Sequence, residues 1–152
     1  MDCYAFTTKS DKITSRIITE AKIVSNEKMY HSMLAQWDTG ATNTCISKRV
    51  VEELGLIPIG IEQIHTPSGE DWVNSYLVDI ILRNNVTVKS IKVNDSAIGG
   101  QGIDMLIGMD IIRYGDLSIT NVNNKTVFSF RIPSIQAVDY VEEINSQQKQ
   151  VF

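Results

Sequence analysis

The chain of 152 residues contains few of the residues that cross-link or interrupt a fold, with only two cysteines and three prolines. Cys3 and Cys45 could form one bridge, but their spacing indicates neither a disulfide framework nor a zinc site. Two separate reduced thiols, as in a cytosolic protein, are the simpler expectation. Lysine and arginine occur singly, and the formal net charge is −4. Because nucleic-acid binding needs clustered positive charge, no nucleic-acid partner is expected.

Long hydrophobic runs are also missing from the sequence. No apolar run approaches the length that a membrane-spanning helix requires, so no membrane partner is expected. The first twelve residues lack the hydrophobic stretch of a signal peptide, which favours a cytoplasmic location. The hydrophobic fraction of 43% and the charged fraction of 21% are those of a globular protein.

The organisation of the chain indicates one domain, over residues 14–134. An N-terminal segment (residues 1–13) precedes it, and a polar C-terminal tail (residues 135–152) follows it. Short runs of alternating or β-branched residues are separated by turn residues within the domain, which predicts an all-β sandwich or barrel. The stretch of residues 94–102, which contains two adjacent glycines, is expected to be a loop.

One or two short helices interrupt the predicted strands. Ser47 is a suitable cap for a helix over Lys48–Leu54, and Gly55 suits the end of that helix. A second brief helix is predicted over Met109–Tyr114, after the break that Gly108 makes in an apolar strand.

The segment that carries chemistry is Trp37-Asp38-Thr39-Gly40-Ala41-Thr42. An apolar strand ends there at an aspartate, which a hydroxyl residue and a glycine follow. The pattern Asp-x-Gly is also ordinary turn chemistry, so alone it is a weak motif. About seventy residues later comes Leu106-Ile107-Gly108, again before a short helix, and a glycine-containing hairpin over residues 66–71 lies between the two.

This ordered trio resembles the retropepsin-like family of aspartic proteases, and the chain looks closest to its bacterial or prophage-like single-domain members. The resemblance covers roughly residues 17–132. It implies a closed acid-protease barrel that carries half of an active site, which a second copy of the chain completes. The implied function is an aspartic endopeptidase that acts on a peptide or protein substrate as a homodimer, without a metal or another cofactor.

The resemblance also assigns roles to individual residues. Asp38 carries the catalytic carboxylate, Thr39 bonds across the dimer axis, and Gly40 lets substrate backbone approach. A flap over the substrate corresponds to residues 65–72. The implied substrate-binding residues are Ala41, Thr42, His65, Thr66, Ser68, Gly69, Trp72, Leu106, Ile107 and Gly108. The subsites are expected to be mostly apolar, with Ile64, Trp72, Leu106 and Ile107 as lining candidates.

Two positions depart from the retroviral pattern. Retroviral enzymes usually carry an aspartate after Asp-Thr-Gly-Ala and pair it with an arginine after the apolar-apolar-Gly stretch. Here Thr42 and Met109 occupy those places, so that ion pair is absent, although Asp110 could bond to a backbone group nearby.

Other functions stay open at this point. A catalytically silent member of the family could use the fold to dimerise or to bind an extended peptide. The aspartate turn could also be a coincidence in a structural β domain. His65 is either a solvated turn histidine or a pH-sensitive flap residue, and Cys45 lacks the neighbouring base that a thiol nucleophile needs.

Overall fold

A computed structural model describes residues 2–26 and 28–149 of the chain. It contains ten strands: β1 (Tyr4–Lys9), β2 (Ile18–Ser25), β3 (Lys28–Trp37), β4 (Cys45–Ser47), β5 (Gly60–Thr66), β6 (Gly69–Ile81), β7 (Thr87–Ser96), β8 (Ile103–Ile107), β9 (Asp116–Thr120) and β10 (Val127–Ile132). Three helices accompany them: α1 (Lys48–Leu54), α2 (Met109–Ile112) and α3 (Tyr140–Lys149). The prediction of an all-β protein is therefore confirmed.

The larger sheet has seven strands in the order β2-β3-β8-β4-β7-β6-β5. A further pairing between β2 and β6 joins the sheet to itself through three residue pairs, beginning at Lys22 and Ile81. The closure is uneven because β5 lies at the end of the strand order, where it pairs with β6. The β5–β6 hairpin thus projects from the barrel.

Parallel pairing of β3 with β8 brings two distant segments together. Trp37, the last residue of β3, lies beside Ile107, the last residue of β8. Both strands therefore end at the same edge, and the aspartate turn at residue 38 lies against the glycine at residue 108. This pairing across about seventy residues positions the candidate site.

The smaller sheet has the order β1-β10-β9 and packs through aromatic rings on the end of β3. Trp37 lies 4.7 Å from Phe130 and 5.1 Å from Phe128, measured between ring centroids, and Phe6 of β1 completes the group. The indole nitrogen of Trp37 donates to the Thr19 hydroxyl at 2.9 Å. Because Trp37 and both Phe128 and Phe130 are buried, the residue before Asp38 is firmly held.

The helix α1 begins and ends where its capping residues predict. The Ser47 hydroxyl accepts a hydrogen bond from the Val50 N–H, and Gly55 adopts a left-handed conformation with φ of 60°. The helix buries Val50 and Leu54 against the barrel. Both the span and the caps inferred from the sequence are confirmed.

The loop predicted over residues 94–102 is wrong at its start. Strand β7 continues through Asn94, Asp95 and Ser96, which pair in parallel with Cys45, Ile46 and Ser47 of β4. The composition of these residues is typical of a turn, and the distant partner strand overrides that local preference.

The ends of the chain contain structure as well. Strand β1 lies in the predicted N-terminal segment and pairs with β10 from Tyr4–Ile132 to Lys9–Val127. The predicted tail contains α3, and its residues 150–152 lie outside the described part. Within residues 2–26 and 28–149, no helix combines the length and apolar character that crossing a membrane requires.

Candidate active site

The turn that begins at Asp38 is held by its own backbone and by β8. The Asp38 N–H donates to the Ile107 carbonyl oxygen at 2.9 Å, and the Asp38 carbonyl oxygen accepts from the Ala41 N–H at 3.2 Å. The Gly40 N–H donates to Oδ1 of the Asp38 side chain at 2.9 Å. Oδ2 makes no hydrogen bond to any described residue, so one oxygen of this half-buried carboxylate is available for chemistry.

Gly108 allows the β8–α2 corner to pack directly on that turn. A Cβ atom at this position would lie 2.7 Å from the Asn43 carbonyl carbon and 2.8 Å from the Ala41 carbonyl oxygen. The next residue, Met109, donates its N–H to the same Ala41 oxygen at 2.8 Å. A side chain here would separate the two segments, so glycine is required by close approach.

Asp110 supports the turn from behind. Its Oδ2 accepts the Thr44 N–H at 2.8 Å, and its Oδ1 accepts the Thr44 hydroxyl at 2.7 Å. Thr44 is fully buried and its Oγ1 also accepts the Gly108 N–H at 3.1 Å. The expected bond from Asp110 to a nearby backbone group is confirmed. It holds the segment that lacks the Asp/Arg ion pair of the retroviral enzymes.

A cleft of about 370 Å³ opens beside the turn. The turn and β4 form one side of it, the β5 strand forms another, and the end of β7 forms the third. The lining residues are Gly40, Ala41, Thr42, Asn43, Cys45, Gln63, Ile64, His65, Asn94, Asp95 and Ser96. Seven of these eleven residues have side chains with hydrogen-bonding nitrogen or oxygen atoms, namely Thr42, Asn43, Gln63, His65, Asn94, Asp95 and Ser96.

The structure brings several of the predicted site residues to this cleft. Gly40, Ala41 and Thr42 border it from the turn, and His65 borders it from β5. His65 is exposed, with Nδ1 3.6 Å from Oε1 of Glu70 on the paired strand. Asp38 and Thr39 precede the lining residues directly, so the turn and the hairpin face the same space.

The hairpin tip is held by its own side chains. The Thr66 hydroxyl donates to the Gly69 carbonyl oxygen at 2.8 Å and lies 3.1 Å from the Ser68 hydroxyl. Gly69 has φ of 124°, a backbone conformation that residues other than glycine rarely adopt. The three predicted tip residues therefore form one compact turn.

The four apolar residues predicted to line the subsites lie in different places in the structure. Of the four candidates to line the subsites, only Ile64 borders this cleft. Ile107 is fully buried in the core, so its carbonyl oxygen is its contribution to the turn. Trp72 is 66% exposed on the hairpin, and Leu106 lies half-buried beside Cys45 in the sheet.

Sequence reasoning missed the residues that β7 and Gln63 contribute to the cleft. Asn94, Asp95 and Ser96 were assigned to a loop by composition, and only their pairing with β4 places them at the wall. For Gln63 the sequence did contain a signal. Side chains alternate along β5, so Gln63 shares a face with Ile61 and His65, and His65 was predicted to bind substrate. The residues of β7 themselves do not indicate which strands β7 pairs with.

Cys45 is a half-buried thiol rather than a nucleophile. Burial, together with the negative charges of Asp38 and Asp110, raises its pKa to about 11. Since the thiolate is the reactive form, the group stays neutral and unreactive near pH 7. Cys3 and Cys45 are both free, in agreement with the expected reduced thiols. In the described ranges, no three His, Cys, Asp or Glu side chains cluster as a metal site.

Comparisons with known proteins show the family and the fold. A sequence model of a family described as aspartyl protease matches residues 21–111, more than half of the chain. No curated protein matches the sequence. Among solved structures, a retropepsin-like aspartic protease from Rickettsia conorii is similar with a TM-score of 0.56 and 15% identity, over 86% of this chain and 96% of that one.

Two viral structures are similar over a shorter part of the chain. The simian foamy virus protease matches with a TM-score of 0.46 and 23% identity, over 64% of this chain and 93% of that one. The EIAV protease, solved with an inhibitor, matches with a TM-score of 0.48 and 20% identity, over 64% of this chain and 86% of that one.

Proposed function

This chain belongs to the aspartyl protease family and has a retropepsin-like fold, and from that premise we propose that it is an aspartic endopeptidase. Two Asp38 carboxylates, one from each chain of a homodimer, hydrolyse the peptide bond of a bound substrate. The observation that carries this proposal is the Asp38 turn. It fixes one carboxylate oxygen on the Gly40 N–H and leaves the other without a partner in the described chain.

The chemistry requires two carboxylates in different protonation states. Two such groups a few ångströms apart cannot both ionise at low cost, so they share one proton, as is established for aspartic proteases in general. The charged member removes a proton from a water held between the two. The protonated member donates a hydrogen bond to the scissile carbonyl oxygen, and its proton then goes toward the leaving amine.

The homodimer follows from the number of such turns. The sequence contains one Asp-Thr-Gly, so a second equivalent carboxylate has to come from a second chain. A two-fold axis would place the same turn of both chains face to face, which is the commonest symmetry of homodimers. Thr39 and Gly40 are exposed, and the Thr39 hydroxyl makes no hydrogen bond elsewhere in the described residues. That hydroxyl is available to bond across the axis.

The other predicted roles belong to the same proposal. The β5–β6 hairpin would act as a flap, with His65, Thr66, Ser68, Gly69 and Trp72 closing over the substrate and excluding water. Ala41 and Thr42 would contact substrate from the turn. Leu106, Ile107 and Gly108 would support that surface from β8, directly or through the backbone bond to Asp38.

The test compares wild type with Asp38→Asn on a diverse peptide mixture between pH 4 and 8, with the products sequenced. Asparagine keeps the shape of aspartate but cannot share the proton, so we expect cleavage to fall at least about a thousandfold, a barrier change of ~4 kcal/mol. The two proteins should unfold at similar temperatures because Oδ1 of the side chain still accepts the Gly40 N–H. Cleavage that survives the substitution would contradict the proposal. If neither protein cleaves any peptide, the result would favour a peptide-binding or dimerisation module.

A further inference from the structure

The cleft wall formed by β7 contains an acceptor without a partner. Asn94 is 4% exposed, and its Nδ2 donates to Oε2 of Glu62 and to Oγ of Ser75, both at 3.0 Å. A carboxylate can only accept hydrogen bonds, so Glu62 fixes which end of the amide is the NH₂ group. The Oδ1 of Asn94 therefore keeps its lone pairs, and no described residue donates to it.

Side chains alternate along β7, so its neighbouring residues face in different directions. Asp95, which follows Asn94, is 7% exposed and accepts from the Asn74 N–H at 3.0 Å and from the Tyr76 hydroxyl at 3.3 Å. Its register partner in β4 is Ile46, which is fully buried in the core. The Asp95 carboxylate is thus bonded on the face of β7 that Ile46 shares, and the Asn94 amide lies on the face that Cys45 shares.

The turn supplies a second group to the lining of the cleft. Thr42 is exposed and lines the cleft, and its hydroxyl forms no hydrogen bond within the part of the chain that the structure describes. Its carbonyl oxygen is already used by the Asp110 N–H at 3.2 Å. Asn94 of β7 and Thr42 of the turn therefore both line the cleft, and each has a side-chain oxygen to which no described residue donates.

The charges around the cleft are negative. Asp38 precedes the lining residues of the turn, Asp95 belongs to the β7 wall, and the negative charges of both Asp38 and Asp110 act on the Cys45 thiol that lines the cleft. Glu62 is offset by its ion pair with Lys92. Among the described residues, no lysine or arginine lines the cleft. A cation that enters would be attracted by this field and would meet free acceptors.

We propose that this cleft binds a lysine or arginine side chain of the substrate, with Asn94 Oδ1 and the Thr42 hydroxyl accepting its N–H groups. The proposal rests on the proposed peptidase function, since it names the side chain that the same site selects. The volume of about 370 Å³ lies in the range of small-ligand pockets, roughly 300–1,000 Å³, and suits a long side chain. It differs from the apolar preference that the sequence alone predicted.

The experiment measures cleavage of peptides that differ at one position next to the scissile bond. Lysine is compared there with norleucine, which has the same chain without the charge, and arginine is compared with citrulline. The charged peptides should have the higher kcat/KM by at least about tenfold. Thr42→Lys should remove this preference by repulsion, so that the ratio of kcat/KM for the lysine peptide to that for the norleucine peptide falls to about one or below.

A matched control places the same charge elsewhere. Thr87 is exposed at the opposite end of β7, so Thr87→Lys should keep the preference for charged peptides. Wild-type cleavage without any preference for lysine or arginine would overturn the inference while the peptidase function stands. An equal loss of preference in Thr42→Lys and Thr87→Lys would also overturn it, because the effect would then be one of net charge.

Binding separates this inference from the proposed reaction. If wild type cleaves nothing, its own affinity for the lysine and norleucine peptides is measured by fluorescence anisotropy. Tighter binding of the lysine peptide that Thr42→Lys abolishes would support the subsite without the peptidase. Equal binding of both peptides, or binding of neither, would overturn the subsite.

Discussion

At position 108 the protein has room for a hydrogen atom and for no side chain. The nearest atoms to a Cβ there belong to the backbone of Asn43 and Ala41, which cannot rotate away as a flexible side chain could. The same backbone carries the turn that begins at Asp38. Gly108, which has no side chain, therefore sets the distance between the candidate catalytic turn and the β8–α2 corner of the barrel.

We predict that Gly108→Ala lowers the free energy of unfolding by about 1–3 kcal/mol, the usual cost of overpacking a close contact. Urea unfolding followed by tryptophan fluorescence would measure the change. Catalytic activity should fall further than stability alone explains, because the aspartate turn has to shift.

Gly100→Ala is the matched control for that substitution. A Cβ at position 100 would meet no atom within 4 Å, so the same chemical change should alter stability by no more than about 0.5 kcal/mol. Similar losses in the two variants would show that the contact at residue 108 is not the cause.

At the scale of elements, one carboxylate holds the segment that follows β10 of the smaller sheet. Asp116, the first residue of β9, accepts the Arg131 Nε–H at 2.8 Å and the Ile135 N–H at 2.8 Å. The Ser134 hydroxyl and the Gln136 N–H also donate to it. These donors, led by the Ile135 N–H, hold the pKa of Asp116 well below its usual range.

We predict that Asp116→Asn frees residues 134–136 and makes the chain more sensitive to proteolysis after β10. The amide keeps one acceptor oxygen, but it loses the charge and the second acceptor that the donors share. Timed digestion with a low amount of thermolysin, followed by mass spectrometry, would locate the new cuts.

The contribution of Asp116 to the free energy of unfolding should decrease as the pH falls. Because the folded-state pKa is lowered, its contribution to stability is full above the ordinary aspartate pKa of about 3.9 and declines as the pH falls below it. The difference in stability between wild type and Asp116→Asn should therefore narrow on acidification. A difference that stays constant from pH 7 to 3 would contradict this assignment.

At the scale of the whole molecule, the proposed reaction needs two chains. A single chain supplies one Asp-Thr-Gly turn, and that turn lies half-exposed at the edge where β3 and β8 end. Activity should therefore belong to a dimer, whereas the folded state of one chain rests on its own barrel and aromatic cluster.

We predict that an excess of Asp38→Asn chains, added to a fixed amount of wild type, lowers the cleavage rate. Most wild-type chains would then pair with a chain that lacks the second carboxylate, so about a tenfold excess should leave only a small part of the activity. Peptide cleavage after equilibration measures this, and the same excess of an unrelated protein serves as the control. An unchanged rate would indicate that one chain acts alone or that the chains do not exchange.

Local chemistry determined the parts of this protein that the sequence predicted. The caps of α1, the turn at Asp38 and the break at Gly108 follow from residues within a few positions of one another, because turns and caps depend on hydroxyl, carboxylate and glycine residues. The all-β class followed from alternation in the same way. The catalytic and binding roles of these residues came from the family resemblance and stay predictions.

Only the tertiary structure decided what surrounds that turn. The parallel pairing of β3 with β8 and of β4 with β7 joins segments about fifty to seventy residues apart, and such pairings leave no periodic signal in either segment alone. They turn Asn94, Asp95 and Ser96 from an expected loop into a cleft wall, and they place Asp110 on Thr44. The sequence predicted the aspartate turn because the turn is formed by neighbouring residues. The sequence did not predict which residues line the cleft, because strands that are distant in the chain form its walls.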